Sequence, residues 1–165
     1  MTAAVKERAT SRDFDFWMGK WHVRNRRLAR RLAGSDDWDE FEAKVAARPL
    51  PGQLGNEDVF CTDYGGGFIG MSFRFYDPES RLWSIYWADS RRPGLLDPPL
   101  IGNFSGDTGI FEGEDTFDGR PIRVRFTWSR VTTRTPRWEQ AFSADGGTTW
   151  ETNWVMEFTP TGDGP

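Results

Sequence analysis

Residues 122–129 read Ile-Arg-Val-Arg-Phe-Thr-Trp-Ser. In an extended chain Ile122, Val124, Phe126 and Trp128 share one side, and Arg123, Arg125, Thr127 and Ser129 the other. That alternation marks a β-strand with one packed and one wet face. The same period recurs outward in both directions, over roughly 20–32, 38–48, 56–63, 67–77, 81–89, 100–105, 108–118, 121–131, 134–143 and 149–159. Turn residues separate these runs at Gly34-Ser35-Asp36, Asp77-Pro78-Glu79-Ser80, Gly106-Asp107, Asp118-Gly119 and Asp145-Gly146-Gly147. No stretch keeps a helical period for three turns. Many short strands without intervening helices fold as a sandwich or a closed barrel.

The chain has 165 residues, enough for one core. Nine Trp, thirteen Phe and three Tyr supply much of its apolar surface, which excludes disorder as the main state. We expect a flexible arm over 1–10, a single domain over 11–160 and a flexible tail over 161–165. One cysteine excludes a disulfide framework and a multi-Cys zinc site. The single histidine excludes any mechanism or metal site needing two, and no metal or cofactor is expected. A net charge of −4 gives no global pull toward nucleic acid. No apolar run reaches the roughly 18 residues of a membrane helix, and the first thirty residues hold no signal-peptide stretch. The expected location is cytoplasmic, and the expected partners are a small molecule and a second copy in a homodimer, with neither nucleic acid nor membrane.

Short turns imply an up-and-down meander. A tight Pro78-Glu79 turn pairs Tyr76 with Arg81 and Arg74 with Trp83. One face of that hairpin then carries Phe68, Ser72, Arg74, Tyr76, Trp83, Ile85, Trp87 and Asp89. The other carries Ile69, Met71, Phe73, Phe75, Leu82, Ser84, Tyr86 and Ala88. Both are rich in apolar groups, which favours a barrel over a sandwich: one face lines a lumen, and the N-terminal turn or a partner subunit covers the other. Near the C-terminus, matching the apolar faces puts Trp138 opposite or diagonal to Trp154, with Phe142 near Trp150 and Gln140 near Thr152. A two-residue turn at Gly146-Gly147 would give the wrong parity, so a longer loop or a bulge is expected there.

At the N-terminus, Ser11-Arg12-Asp13 before Phe14, Phe16, Trp17 and Met18 reads as a short capped helical turn stopped by Gly19. The following Gly19-Lys20-Trp21 resembles the G-x-W signature of lipocalins and the wider calycin barrels. In that family the Trp closes one barrel end against an Arg from a late strand, a part the resemblance offers to Arg125 or Arg137. A longer set comprises Phe14 to Trp21, Tyr76-Asp77-Pro78, Trp83 to Asp89, and Trp138 to Gly147 with Thr149-Trp150. Over nearly the whole chain it resembles an uncharacterised bacterial family of calycin-like proteins. The resemblance implies an all-β, up-and-down antiparallel calycin-like barrel of eight to ten strands with a short N-terminal helical plug. It implies no activity, cofactor or catalytic residue. Ser143 to Trp150 also fits the Asp-box pattern of sialidase-type propellers, but a single copy reads as a hairpin fold-back.

Trp83, Trp87, Trp128, Trp138 and Trp154 lie at alternating strand positions with Arg74, Gln140 and Thr152 among them. That mixture fits an apolar pocket holding a few orienting polar groups, although core packing alone also explains tryptophans. The expected ligand site is therefore Arg74, Trp83, Trp87, Trp128, Trp138, Gln140 and Trp154. The function read from it is binding of a small apolar or aromatic molecule. The alternative is a cofactor-free isomerase, cyclase or hydrolase with Asp89 as acid/base, its pKa raised by a lumen beside Trp rings. Asp89 as the cap of the Arg91-Arg92-Pro93-Gly94 turn is the plainer reading.

His22 would need a large apolar pocket to ligate haem, and its neighbours Arg24 and Arg26 imply a wet face instead. Alternation splits the basic run, with Arg24, Arg26 and Arg30 on one face and Arg27 and Arg31 on the other. With Asp36, Asp37, Asp39 and Glu40 following, a salt-bridged hairpin is expected rather than a phosphate patch. Glu112 and Glu114 read as solvent-facing. The segment from Arg91 to Leu100, with three prolines, is long for a hairpin and reads as a lid or a subunit contact. Cys61, beside Phe60, reads as a small buried hydrophobe.

Overall fold

The computed structural model describes residues 10–162. The expected arm thus lies outside the described residues except for Thr10, as does the expected tail except for Thr161 and Gly162.

Ten antiparallel strands close into one barrel. They are β1 (Gly19–Leu28), β2 (Trp38–Pro49), β3 (Gly55–Thr62), β4 (Phe68–Asp77), β5 (Leu82–Asp89), β6 (Leu100–Ser105), β7 (Thr108–Phe117), β8 (Arg120–Ser129), β9 (Arg137–Ser143) and β10 (Glu151–Pro160). Each strand pairs with its sequence neighbours, and β1 pairs with β10 to complete the ring. Closure leaves every strand paired with a neighbour on both sides over at least part of its length. In β8, Ile122, Val124 and Trp128 are buried and face inward, with Phe126 between them half-buried. The sandwich alternative is excluded.

The β4–β5 hairpin shows what parity fixes and what it does not. Its faces divide as the alternation requires, but its register lies two residues from the expected one. Tyr76 pairs with Trp83 and Arg74 with Ile85, and Asp77–Leu82 is the last pair before a four-residue turn. Arg81 takes a left-handed conformation at φ 59° to close it. Asp77 accepts bonds from the Glu79 amide and the Ser80 hydroxyl, and these hold the longer turn.

The N-terminal segment departs from expectation twice. It forms no α-helix, only a single 3-10 turn at Asp15–Trp17. Nor does it cover the outer apolar face of β4 and β5, where Ile69 and Phe75 remain exposed. Its side chains enter one end of the barrel instead. Phe14 stands edge-on to Trp83 and Phe104, each with ring centroids 4.9 Å away. Trp17 meets Trp128 at 4.8 Å and Phe158 at 4.6 Å. Gly19, at φ 118°, carries the chain from this turn into β1, a conformation that side chains resist.

Between β9 and β10 both expected devices are present. A loop spans residues 144–150, and a bulge between Thr152 and Trp154 shifts the ladder by one residue. Trp154 therefore pairs with Gln140 and lies diagonal to Trp138, their rings 5.7 Å apart. Thr152, however, pairs with Ala141 rather than Gln140, and Phe142 with Glu151 rather than Trp150, because the parity changes only at the bulge. The loop is a self-bonded fold-back. Asp145 accepts from the Thr149 amide at 2.9 Å, the Thr149 hydroxyl at 2.6 Å and the Ser143 hydroxyl at 2.8 Å.

The bonds from Thr149 and Ser143 hold the Asp145 carboxyl at about 2, against an ordinary 3.8. A depressed folded-state pKa contributes stability above the ordinary value and loses it as pH falls through the folded one. The stability gap between wild type and Asp145→Ala should thus be constant above pH 3.8 and shrink as pH approaches about 2. Urea midpoints measured across that window check this.

Candidate ligand-binding cavity

Alternation along ten strands delivers two different interiors, one at each end of the barrel. At the closed end the aromatics of the N-terminal turn meet a buried ion pair. Arg74 on β4 and Asp58 on β3 lie 2.6 Å apart, and both side chains are almost wholly buried. Asp58 also accepts from Trp17 Nε1 at 3.0 Å, and Arg74 donates to Asn56 at 3.1 Å. The Arg74 guanidinium sits 5.0 Å over the Phe14 ring. Trp21 stacks on Trp17 at 5.2 Å and donates to the Trp17 carbonyl.

An arginine does serve the closed end, but it is Arg74 of β4 rather than Arg125 or Arg137. Those two lie on the outer surface: Arg125 pairs with Glu112 and covers the Trp150 ring, and Arg137 bridges Glu139 and Glu157.

Above this floor the barrel is not filled. A cavity of about 320 Å³ lies over Arg74 and Asp58, walled by aromatic and aliphatic side chains. This is roughly twice the ~150 Å³ of an apolar cavity known to accept benzene. Trp87, Trp128, Trp138 and Trp154 line it together with Arg74 and Gln140. Trp83 does not. It is buried in the closed-end cluster between Phe14 and Tyr76, with its indole N–H unpartnered. Trp128 faces both regions, and its N–H likewise has no partner. Gln140 donates to Asn153, the bulge residue, at 2.8 Å. Trp154 donates to buried Asn25 at 3.0 Å, which fixes the orientation of its ring.

The mouth opens at the other end. β5 and β6 pair over only three residues, from Trp83 to Ile85, so the far half of β5 lacks a strand on that side. The segment after it fills the gap: Asp97 N donates to the Trp87 carbonyl at 2.9 Å, and Arg92 pairs with Asp97 at 2.8 Å. Asp97 and Pro98 line the cavity, whereas Leu95 and Leu96 are exposed. Arg91 to Leu100 thus forms part of the rim.

Asp89 stands at the rim as the last residue of β5 and lines the cavity. It also caps its turn, accepting from the Arg91 amide at 2.9 Å and pairing with the Arg91 guanidinium at 2.6 Å. Burial pushes its carboxyl up, but the bonds and charge of Arg91 outweigh burial and leave it below the usual range. The expected upward shift is therefore not found, and Asp89 is ionised near neutral pH.

Sequence reasoning missed part of the lining: Phe60, Phe126, Phe142 and Met156 on the walls, and Arg27 and Arg31 at the mouth. The arginines carried a usable signal, because Arg27 shares the parity of Trp21 and Val23. The expected salt-bridged hairpin exists only on the outer face, where Arg26 approaches Glu40 and His22 contacts Glu42 at 3.1 Å. His22 therefore faces away from the lumen and holds no position for a ligand bound within it. Cys61 is exposed rather than buried, since Phe60 takes the inward position beside it.

A closed ten-stranded antiparallel barrel with a buried aromatic cluster is consistent with a calycin-like fold and, in general, with a ligand-binding cavity. Neither a protein-family model nor a curated protein matches the sequence. Among the described residues no helix is long and apolar enough to cross a membrane.

Proposed function

We propose that the protein reversibly binds a small, largely apolar or aromatic molecule in the barrel lumen. The observation that carries this reading is the contrast between the two ends. Aromatic rings interlock below Arg74, while the same wealth of rings above it encloses open space. Trp87, Trp138 and Trp154 bury the ligand body, and Gln140 and Arg74 place polar groups in the lining. The alternative, catalysis with Asp89 as acid/base, has less support because Arg91 holds that carboxylate ionised.

Titration with neutral N-phenyl-1-naphthylamine tests the reading. Saturable one-site enhancement of probe fluorescence, with quenching of Trp emission, is expected. Replacing cavity-lining Val124 by Trp should weaken that binding more than tenfold. The replacement costs only the ~1–3 kcal/mol typical of overpacking, because the new ring has space to enter. Unsaturable binding, or equal binding by Val124→Trp, would rule out the lumen as the site.

A further inference from the structure

The charged groups of the cavity mouth are not evenly matched. Asp89 is taken by Arg91 and Asp97 by Arg92. Arg27 and Arg31 also line the cavity, yet among the described residues neither has a carboxylate within salt-bridge distance. Each is stacked on aromatic faces instead. Arg27 lies 4.7 Å from the Trp154 ring centre, and Arg31 lies 4.8 Å from Phe117 and 5.6 Å from Phe142. Stacking holds the guanidinium planes in place and leaves their N–H edges free to donate. Arg27 Nε is hidden from solvent with no hydrogen-bond partner. Buried donors of this kind are rare in folded proteins unless something else satisfies them.

Electrostatics agrees with the geometry. Burial, then the neighbouring charges of Arg31 and Arg91, pulls the Arg27 guanidinium down to about 10. Burial and Arg91 likewise lower Arg31. Both stay protonated near neutral pH, so the rim holds positive charges that repel one another and have no direct ion pair, and Asp89, which acts on Arg27 through space, is bound to Arg91. Asp115 lines the same mouth, and Asp118 and Glu151 act on Arg31 through space, but none reaches ion-pair distance. Tyr64, which acts on both arginines, is committed through its hydroxyl to Asp39.

We infer that the ligand is an amphipathic anion: an apolar body seated among the tryptophans, with one oxyacid group held by Arg27 and Arg31 at the mouth. This rests on the lumen being a binding site and adds the chemical class of its occupant. Both guanidiniums suit a carboxylate or a phosphate ester, since each presents a planar fork of donors.

Three probes with one body separate the possibilities: 2-naphthoate, 2-naphthyl phosphate and the uncharged 2-naphthamide, titrated calorimetrically into the 165-residue chain. At least one anion should bind tenfold or more tightly than the amide, and the tighter of the two identifies the head group. In Arg27→Met and Arg31→Met that preference should fall to within about threefold. Equal binding of all three probes, or a preference that survives both substitutions, overturns the anion inference and leaves the lumen reading standing. Failure of every probe to bind overturns both. Thermal denaturation of each variant keeps a folding defect from being read as lost recognition.

Discussion

Arg74→Met is expected to lower stability by about 3–5 kcal/mol, the cost of leaving one partner of a buried ion pair uncompensated. At about 2–4 °C per kcal/mol for a chain of this size, the melting temperature should drop by roughly 6–20 °C. The carboxylate of Asp58 would keep the Trp17 indole N–H but lose the cation 2.6 Å away, in a place largely shielded from solvent. Methionine matches much of the arginine stem, so the loss reports charge pairing more than volume.

Arg74→Met/Asp58→Leu separates the two contributions. With both charges gone, a large part of the stability should return, because apolar replacements of buried pairs are often neutral or better. Recovery will be incomplete. Trp17 Nε1 and Asn56 lose their partners, and an unsatisfied buried polar group costs about 1–3 kcal/mol. Urea unfolding of the two single variants and the double variant closes the cycle. A loss under about 1 kcal/mol for Arg74→Met would contradict this account of the closed end.

Arg74 also shows where reading the sequence stopped short. Its inward direction follows from alternation with Ser72 and Tyr76, and the strands, their order and the hairpin faces were all legible in the same way. Depth along the barrel was not. Parity says whether a side chain points inward, but not whether it meets floor, wall or mouth, because that depends on register and shear between strands far apart in sequence. Trp83 and Trp87 share a face, yet one is locked in the floor and the other walls the cavity. The two-residue register difference at the Pro78 turn has a local source instead: a left-handed Arg81 lengthens the loop, and arginine gives no advance notice of it. Arg27 was misread because acidic residues nearby in sequence made pairing look natural. Asp39 is indeed its register partner across the β1–β2 ladder, but the Asp39 side chain binds Tyr64.

Phe14→Ala is the second large effect, expected to cost about 3–5 kcal/mol as a fully buried ring is removed. Five rings lose a neighbour at once: Trp83 and Phe104 at 4.9 Å, Phe111 at 5.9 Å, Phe16 at 6.0 Å and Trp128 at 6.1 Å. Edge-to-face pairs contribute roughly 0.5–1.5 kcal/mol beyond their burial, so the figure should lie toward the top of that range. Collapse offers little relief. The rings around the gap belong to separate strands tied into a closed ladder, and Arg74 would face the hole with a charge formerly covered by the Phe14 ring. Phe16→Ala is the control: it sits in the same turn but is only half-buried, so its loss should be much smaller. Equal urea midpoints for the two variants would mean that the 3-10 turn stabilises the barrel by covering its end in general, and not through the one ring inserted between Trp83 and Phe104.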